Sequence, residues 1–256
     1  MIEKIQRKLK REGFLKFLIA ITIYPFRYSR RKVYKKMLTL KTAKERFLKI
    51  YKENLWSSKE SASGVGSEVA STLPLRKWLI LNIKKLKIKS FVDAPCGDFN
   101  WMKLVIPEVD INYIGLDIID DLITKNKHKF ESKKVNFKVA NICQDELPSC
   151  DIIMVRDCLF HLSYYDINQF LINLSKTNYK YLLTTNHIVE KGFENTNIIT
   201  GDFRIIDLFR EPFDFDSKLV KDRVNDFIYV DIIKREMILI EKQDVPTSLP
   251  KLLINQ

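Results

Sequence analysis

Lys89-Ser-Phe-Val-Asp-Ala-Pro-Cys-Gly-Asp-Phe-Asn-Trp101 combines an apolar run, a tight turn and two acids in one short segment. Residues 89–94 have the character of a strand, and a turn ending in Gly97 lets the backbone approach a ligand closely. The next strand-like run, Asn112-Tyr-Ile-Gly-Leu-Asp117, ends on an acid 24 residues after Asp93. An acid at that point can accept two hydrogen bonds from ribose hydroxyls. The glycine spacing GxGxxG, which cradles a diphosphate, is absent from this loop. The two strand ends together suit a nucleoside ligand without a diphosphate.

The same alternation extends in both directions. Helices are expected over 68–87, near 100–107, near 119–130 and near 165–176, and further strands at 135–140, 151–156 and 180–185. Two β-rich runs at 226–233 and 236–241 would form a closing hairpin. Apolar strands separated by helices predict an α/β protein: a doubly wound, mostly parallel sheet with a C-terminal antiparallel hairpin and an N-terminal helical arm. Such sheets bind ligands beyond the carboxyl ends of their strands, so the residues there are the candidates for chemistry.

The chain has 256 residues, 46% of them hydrophobic and 30% charged, which fits a packed core and excludes a disordered chain. Its net charge of +12 is not evenly spread. Residues 1–52 hold 17 Lys and Arg against Glu3, Glu12 and Glu45, a net of +14 that leaves 53–256 at −2. The basicity therefore belongs to an arm and marks a location more than a chemistry. Residues 2–24 read as an amphipathic to apolar helix that Pro25 ends or kinks, with Arg27, Arg30, Arg31 and Lys32 following. The apolar stretch from Phe17 to Phe26 is too short to span a bilayer. It resembles the start of a signal peptide, but no small-x-small cleavage site follows. Two readings stand for the arm: an interfacial helix on an anionic leaflet, or a helix packed on the body. Cys96, Cys143, Cys150 and Cys158 have neither zinc nor disulfide spacing, and Cys143, Cys150 and Cys158, in or beside apolar runs, read as buried thiols of a reducing cytoplasm.

Asp93-Ala-Pro-Cys-Gly-Asp-Phe-Asn-Trp101, Tyr113-Ile-Gly-Leu-Asp117 and Arg156-Asp-Cys-Leu-Phe-His-Leu162 resemble motifs of class I S-adenosylmethionine-dependent methyltransferases. They are closer to a bacterial subgroup associated with surface-polysaccharide gene clusters. The resemblance runs from about Tyr51 through about Phe215 and takes in Trp56-Ser-Ser-Lys-Glu-Ser-Ala-Ser-Gly-Val-Gly-Ser67 and Thr200-Gly-Asp-Phe-Arg204. It implies a Rossmann-like domain over 53–256 with S-adenosyl-L-methionine as cofactor. Asp93, Ala94, Pro95, Cys96 and Gly97 would wrap the methionine part, with Asp93 near its ammonium group. Asp117 would hold the ribose, and Asn141 and Ile142 would flank the adenine. Asn141 stands where most members carry Asp, and Pro95 where the wider pattern has glycine.

Methyl transfer is an in-line displacement, so the protein must position the acceptor and, for a hydroxyl, remove a proton. His161 follows the fourth strand, with Asp157 four residues earlier; on a helix the two would share a face as base and orienter. Alternatively, Asp157 touches the cofactor while His161 packs the turn. His187, Trp101, Asp202 and Arg204 are the candidate acceptor contacts, Arg204 for a carboxylate or phosphate. Arg204 paired with Asp202 or Asp207 is the competing reading. His128, in a lysine-rich helix, reads as solvated. Residues 57–67 are either a lid over the cofactor or a linker. No metal-ligand cluster is visible, so no metal is expected.

Three functions compete. The first is a small-molecule or glycan O-methyltransferase, cytoplasmic or peripheral on the inner face of the membrane. The second is a nucleic-acid methyltransferase that uses the arm as a phosphate-binding tail. Against it stand the near-neutral body and the missing Asn/Asp-Pro-Pro-Tyr motif. The third is a cofactor-binding scaffold protein without catalysis.

Overall fold

The computed structural model describes residues 33–226 and 234–250. Its centre is a seven-stranded sheet in the order β3-β2-β1-β4-β5-β7-β6. The strands are β1 (Ser90–Asp93), β2 (Asn112–Asp117), β3 (Val135–Val139), β4 (Cys150–Val155), β5 (Tyr179–His187), β6 (Val220–Asn225) and β7 (Arg235–Glu241). β1 to β5 run parallel; β7 pairs antiparallel with both β5 and β6. This is the expected α/β architecture.

The central strands are apolar almost end to end because both faces of the sheet are covered. Strand alternation then sorts side chains between two cores. Val92, Ile153, Val155, Leu182 and Ile238 face one core with Ile167, Phe170, Leu171 and Leu174 of α4 (Tyr164–Lys176). Phe91, Ile152, Met154, Leu183 and Met237 face the other, with Leu75, Leu79 and Ile83 of α2 (Leu73–Lys85). Ile123 of α3 (Asp120–Phe130) joins the second core. The spacing 167, 170, 171, 174 is that of one helical stripe, and the Ser163 side chain caps α4 by accepting from the Asp166 N–H.

Two elements differ from expectation. The antiparallel partner of β7 is Val220–Asn225, whereas the sequence pattern placed it at 226–233; residues 227–233 lie outside the described residues. Val-Lys-Asp-Arg-Val-Asn has little apolar content, because an edge strand gains protection from charge. Residues 100–107 form two short 3₁₀ turns, Met102–Leu104 and Ile106–Glu108, in place of a helix.

Before β1, residues 33–38 are helical and α1 (Ala43–Lys52) follows, opened by a Thr42/Glu45 capping box. This end of the arm packs on the body. Met37 and Ile50 are fully buried, the Tyr34 hydroxyl donates to the Gly201 carbonyl (2.9 Å), and Arg46 donates to the Thr200 carbonyl (3.1 Å). Residues 2–24, read as an amphipathic helix, lie outside the described residues.

Candidate active site

The strand order reverses between β1 and β4, which places a crevice beyond the ends of adjacent strands. A cavity of about 290 Å³ lies there, lined from the ends of β1, β2, β3 and β4, from residues 62–67 and from α1. Asp93, Pro95, Cys96, Gly97, Trp101, Asp117, Asn141, Ile142, Asp157 and His161 all line it. These positions are 68 residues apart at their extremes and meet only because parallel strands point the same way.

The turn after β1 is shaped by contacts on both sides. Gly97 has φ +56°, and a Cβ there would meet Ser63 Oγ at 2.1 Å. Its N–H donates to Asp117 Oδ2 (3.2 Å), and the Ile119 N–H donates to Oδ1 (3.0 Å). Each carboxylate oxygen keeps a further lone pair for a ligand hydroxyl. Asp93 accepts from the Tyr113 hydroxyl (2.8 Å). Burial pushes Asp93 up to about 7 and Asp117 up to about 6. Ala94 is the exception among the loop residues: fully buried, it faces the core, and its N–H continues the β1–β4 ladder to Met154 O (2.9 Å). One residue on, alternation turns Pro95 to the cavity.

The Ser/Gly segment is fastened to this turn. Asp98 accepts from Ser61 Oγ (2.9 Å) and the Ala62 N–H (2.7 Å), and the Asp98 N–H donates to Ser63 Oγ (3.1 Å). Asn100 donates to Glu60 (2.6 Å) and to the Ser67 carbonyl (3.0 Å). Residues 62–67 thus form one wall of the cavity.

Asn141 Oδ1 accepts from the Cys143 N–H (3.0 Å), which fixes the bend after β3. An amide oxygen has room for a second donor.

Asp157 and His161 are not a base and its orienter. Residues 159–161 form a single 3₁₀ turn, so the helical i, i+4 geometry is lost. Asp157 instead meets Arg235 Nη2 (3.0 Å) and Arg156 Nη1 (3.3 Å). Burial pushes its carboxyl up, but the two guanidinium groups outweigh that and hold it below the usual range. The His161 partner is a backbone oxygen: Nδ1 lies 2.7 Å from the Asp202 carbonyl. A carbonyl only accepts, so Nδ1 carries the proton and Nε2 presents a lone pair. Burial also holds the imidazole below its ordinary value, so it stays neutral. The rings of Trp56, Phe160 and Phe203 lie 5.6, 4.5 and 5.9 Å from it.

Three of the four expected acceptor contacts, His187, Asp202 and Arg204, do not line the cavity. β5 runs on to His187, which pairs in register with Arg235, and Nδ1 accepts from the Ile206 N–H (3.2 Å). Burial pushes that imidazole down to about 4. Arg204 is buried, with its guanidinium 5.1 Å over the Tyr164 ring and 6.0 Å from that of Phe213, and Nη2 donates to Leu159 O (3.4 Å). It pairs with neither Asp202 nor Asp207 among the described residues, and burial pushes it down to about 10. Asp202 contributes through its carbonyl. His128 is exposed on α3.

Sequence reasoning gave no role to Arg156, Asp226 and Arg235. Arg156 Nε donates to both Asp226 oxygens (3.0 Å each), Nη2 donates to the Gly66 carbonyl (2.8 Å), and the guanidinium lies 5.3 Å over the Trp101 ring. Arg235 Nε lies 3.4 Å from Asp226. The available signal was Arg156-Asp157, a charged pair ending an otherwise apolar strand. Among the described residues no group of side chains could hold a metal ion, and no helix is long and apolar enough to cross a membrane.

No family model matches the chain, and no curated protein matches it. Solved structures do. A Leishmania major S-adenosylmethionine-dependent methyltransferase is similar with a TM-score of 0.52 at 12% identity, over 82% of each chain. Human N-acetylserotonin methyltransferase, solved with S-adenosylmethionine, gives 0.49 at 13% identity over 77% of this chain; the match spans 56% of the human chain. Magnesium protoporphyrin IX methyltransferase from Synechocystis, solved with S-adenosylhomocysteine, gives 0.48 at 11% identity over 88% of this chain and 99% of that one. The fold is the Rossmann-like one of the Leishmania major protein.

Proposed function

We propose that this chain is an enzyme that transfers the methyl group of S-adenosylmethionine to a hydroxyl oxygen of a small-molecule or glycan acceptor. The observation that carries the reading is a single cavity lined by the turn after β1, by Asp117 and by His161. The residues fit the cofactor. Gly97 lines the cavity and its missing side chain lets Ser63 close against the turn, and Asp117 suits ribose hydroxyls. Asp93 suits an ammonium group. Arg156, Asp157 and Arg235 give the cavity both signs of charge, which matches a zwitterionic amino-acid moiety.

Bound there, the cofactor supplies an electrophilic methyl carbon on a sulfonium, a leaving group that needs no further activation. His161 takes the acceptor's hydroxyl proton on Nε2 as the oxygen attacks. The Asp202 carbonyl then stabilises the imidazolium through Nδ1–H. Trp56, Phe160 and Phe203 exclude water and offer flat apolar faces to a ring-bearing acceptor. The glycan assignment, with surface-polysaccharide biosynthesis at the inner face of the membrane, draws on these aromatic walls and on the motif resemblance over residues 51–215. We read 53–256 as the methyltransferase domain, with 53–67 as its lid and 1–52 as an arm whose end, α1, adds Ala43, Phe47 and Tyr51 to the cavity.

The test is transfer of labelled methyl from S-adenosylmethionine to fractionated small molecules and glycans. Incorporation by wild type and not by His161→Ala supports the reading. Absence of transfer to any fraction by protein that binds the cofactor contradicts it and favours a non-catalytic scaffold.

A further inference from the structure

The arm and the mouth of the cavity are one surface. Phe203 lines the cavity and is 50% exposed, so it sits at the opening; Ile199, four residues earlier, is 52% exposed and lines nothing. Single exposed apolar residues are ordinary. These two, however, flank the backbone to which the arm is tied: Tyr34 holds the Gly201 carbonyl, Arg46 holds the Thr200 carbonyl, and Met37 Sδ would lie 3.4 Å from a Cβ on Gly201. Ala43 and Phe47 of α1 line the cavity beside them.

The charge of the arm here is mostly basic, with Asp202 the acid of the rim beside Tyr34. Residues 33–52 carry seven Lys and Arg against Glu45 alone. Lys35 and Lys36 are exposed and have no ion-pair partner among the described residues, in contrast with Lys44 on Asp120 and Lys49 on Glu53. The chain outside the described residues joins at Val33, beside this rim. Residues 1–32 add ten Lys and Arg against two acids, with the apolar run from Phe17 to Phe26 between the basic clusters. Apolar side chains rimmed by exposed lysines complement a surface of anionic headgroups over acyl chains.

We infer that the rim formed by Ile199, Phe203, Lys35 and Lys36 docks on an anionic phospholipid bilayer, with the cavity mouth turned towards it. The docking itself does not depend on the methyltransferase reading. Its consequence does: an acceptor carried on a lipid would enter past Phe203 without leaving the surface.

The experiment is co-sedimentation of the full chain with phosphatidylcholine vesicles and with the same vesicles containing phosphatidylglycerol, beside calorimetric titration of S-adenosylhomocysteine. The chain should sediment with the anionic vesicles only, and less as salt rises. Lys35→Glu/Lys36→Glu should weaken vesicle binding roughly tenfold or more, at about 1 kcal/mol per basic residue near the surface. Ile199→Glu should weaken it severalfold. These exposed positions lie outside the cavity lining, so folding and S-adenosylhomocysteine affinity should stay at wild-type values. Failure to sediment overturns the inference. So does wild-type sedimentation of both variants, which would place all binding in residues 1–32. Binding to single-stranded RNA in place of vesicles overturns it in favour of a nucleic-acid partner. Loss of cofactor binding alongside intact vesicle binding would sink the methyltransferase reading and leave the docking surface standing.

Discussion

His161 Nδ1 lies 2.7 Å from the carbonyl oxygen of Asp202, and the imidazole is buried among the rings of Trp56, Phe160 and Phe203. The group that orients the His161 ring is therefore a backbone carbonyl of the loop after β5. The carboxylate four residues before it is committed to two arginines.

His161→Ala should cut turnover by about 10²–10⁴, the usual worth of a positioned base, while S-adenosylhomocysteine affinity changes little. In wild type, kcat/KM should fall as pH drops through the imidazole's pKa. That limb should lie below the ordinary histidine value near 6.5, because burial favours the neutral ring. The variant should lack the limb. A pH–rate comparison of the two proteins checks this, and an unchanged limb in the variant assigns the base elsewhere.

Cofactor binding should release protons in mildly acid solution. The free protein holds protons on Asp93 up to about pH 7 and on Asp117 up to about pH 6. An ammonium group and ribose hydroxyls favour the carboxylates, so binding lowers both values. Affinity should therefore rise with pH through that window and level off above it. Calorimetry in buffers of different ionisation enthalpy measures the protons released; an affinity independent of pH would exclude these two acids as contacts.

Gly97→Ala should abolish cofactor binding without unfolding the sheet. The position has φ +56°, and the added methyl would occupy the place of Ser63 Oγ. Either the turn or residues 61–63 must shift, at a cost of about 1–2 kcal/mol for the left-handed backbone alone. Circular dichroism should be preserved while ligand titration is lost.

Arg156→Met should act on stability. It strips Asp226, whose exposure is 0%, of both bonds to the Arg156 guanidinium. Breaking a buried pair from one side costs about 3–5 kcal/mol. For a chain of this size that is a fall in Tm of roughly 6–20 °C. Restoring Tm by also replacing Asp226 with Asn would show that the stranded carboxylate is the cause; a Tm unchanged in the single variant would contradict the account.

Much of this was readable in the residues because burial on both faces makes central strands apolar. β2 has the expected limits, β3 differs by a residue at one end, and β1 and β4 by a residue at each end. β6 was hidden because an exposed edge carries Lys221, Asp222 and Arg223. At the site, Asp93, Gly97 and Asp117 could be picked out by standing where parallel strands end. Ala94 and His187 were misplaced by one feature, the side on which a residue leaves its strand, which depends on where pairing stops. Arg235 reaches the cavity through the antiparallel register of β5 with β7, a long-range pairing that local patterning does not contain, and Asp226 lies against it.

The most direct test of the central claim is calorimetric titration of S-adenosylhomocysteine into wild type and Asp117→Ala, with NAD as the control ligand. The account predicts micromolar binding to wild type, no binding of NAD, and a loss of about ten- to a hundredfold in the variant, as expected when hydrogen bonds to a charged group are removed. Folded wild-type protein that fails to bind, or a variant that binds as well as wild type, would contradict it.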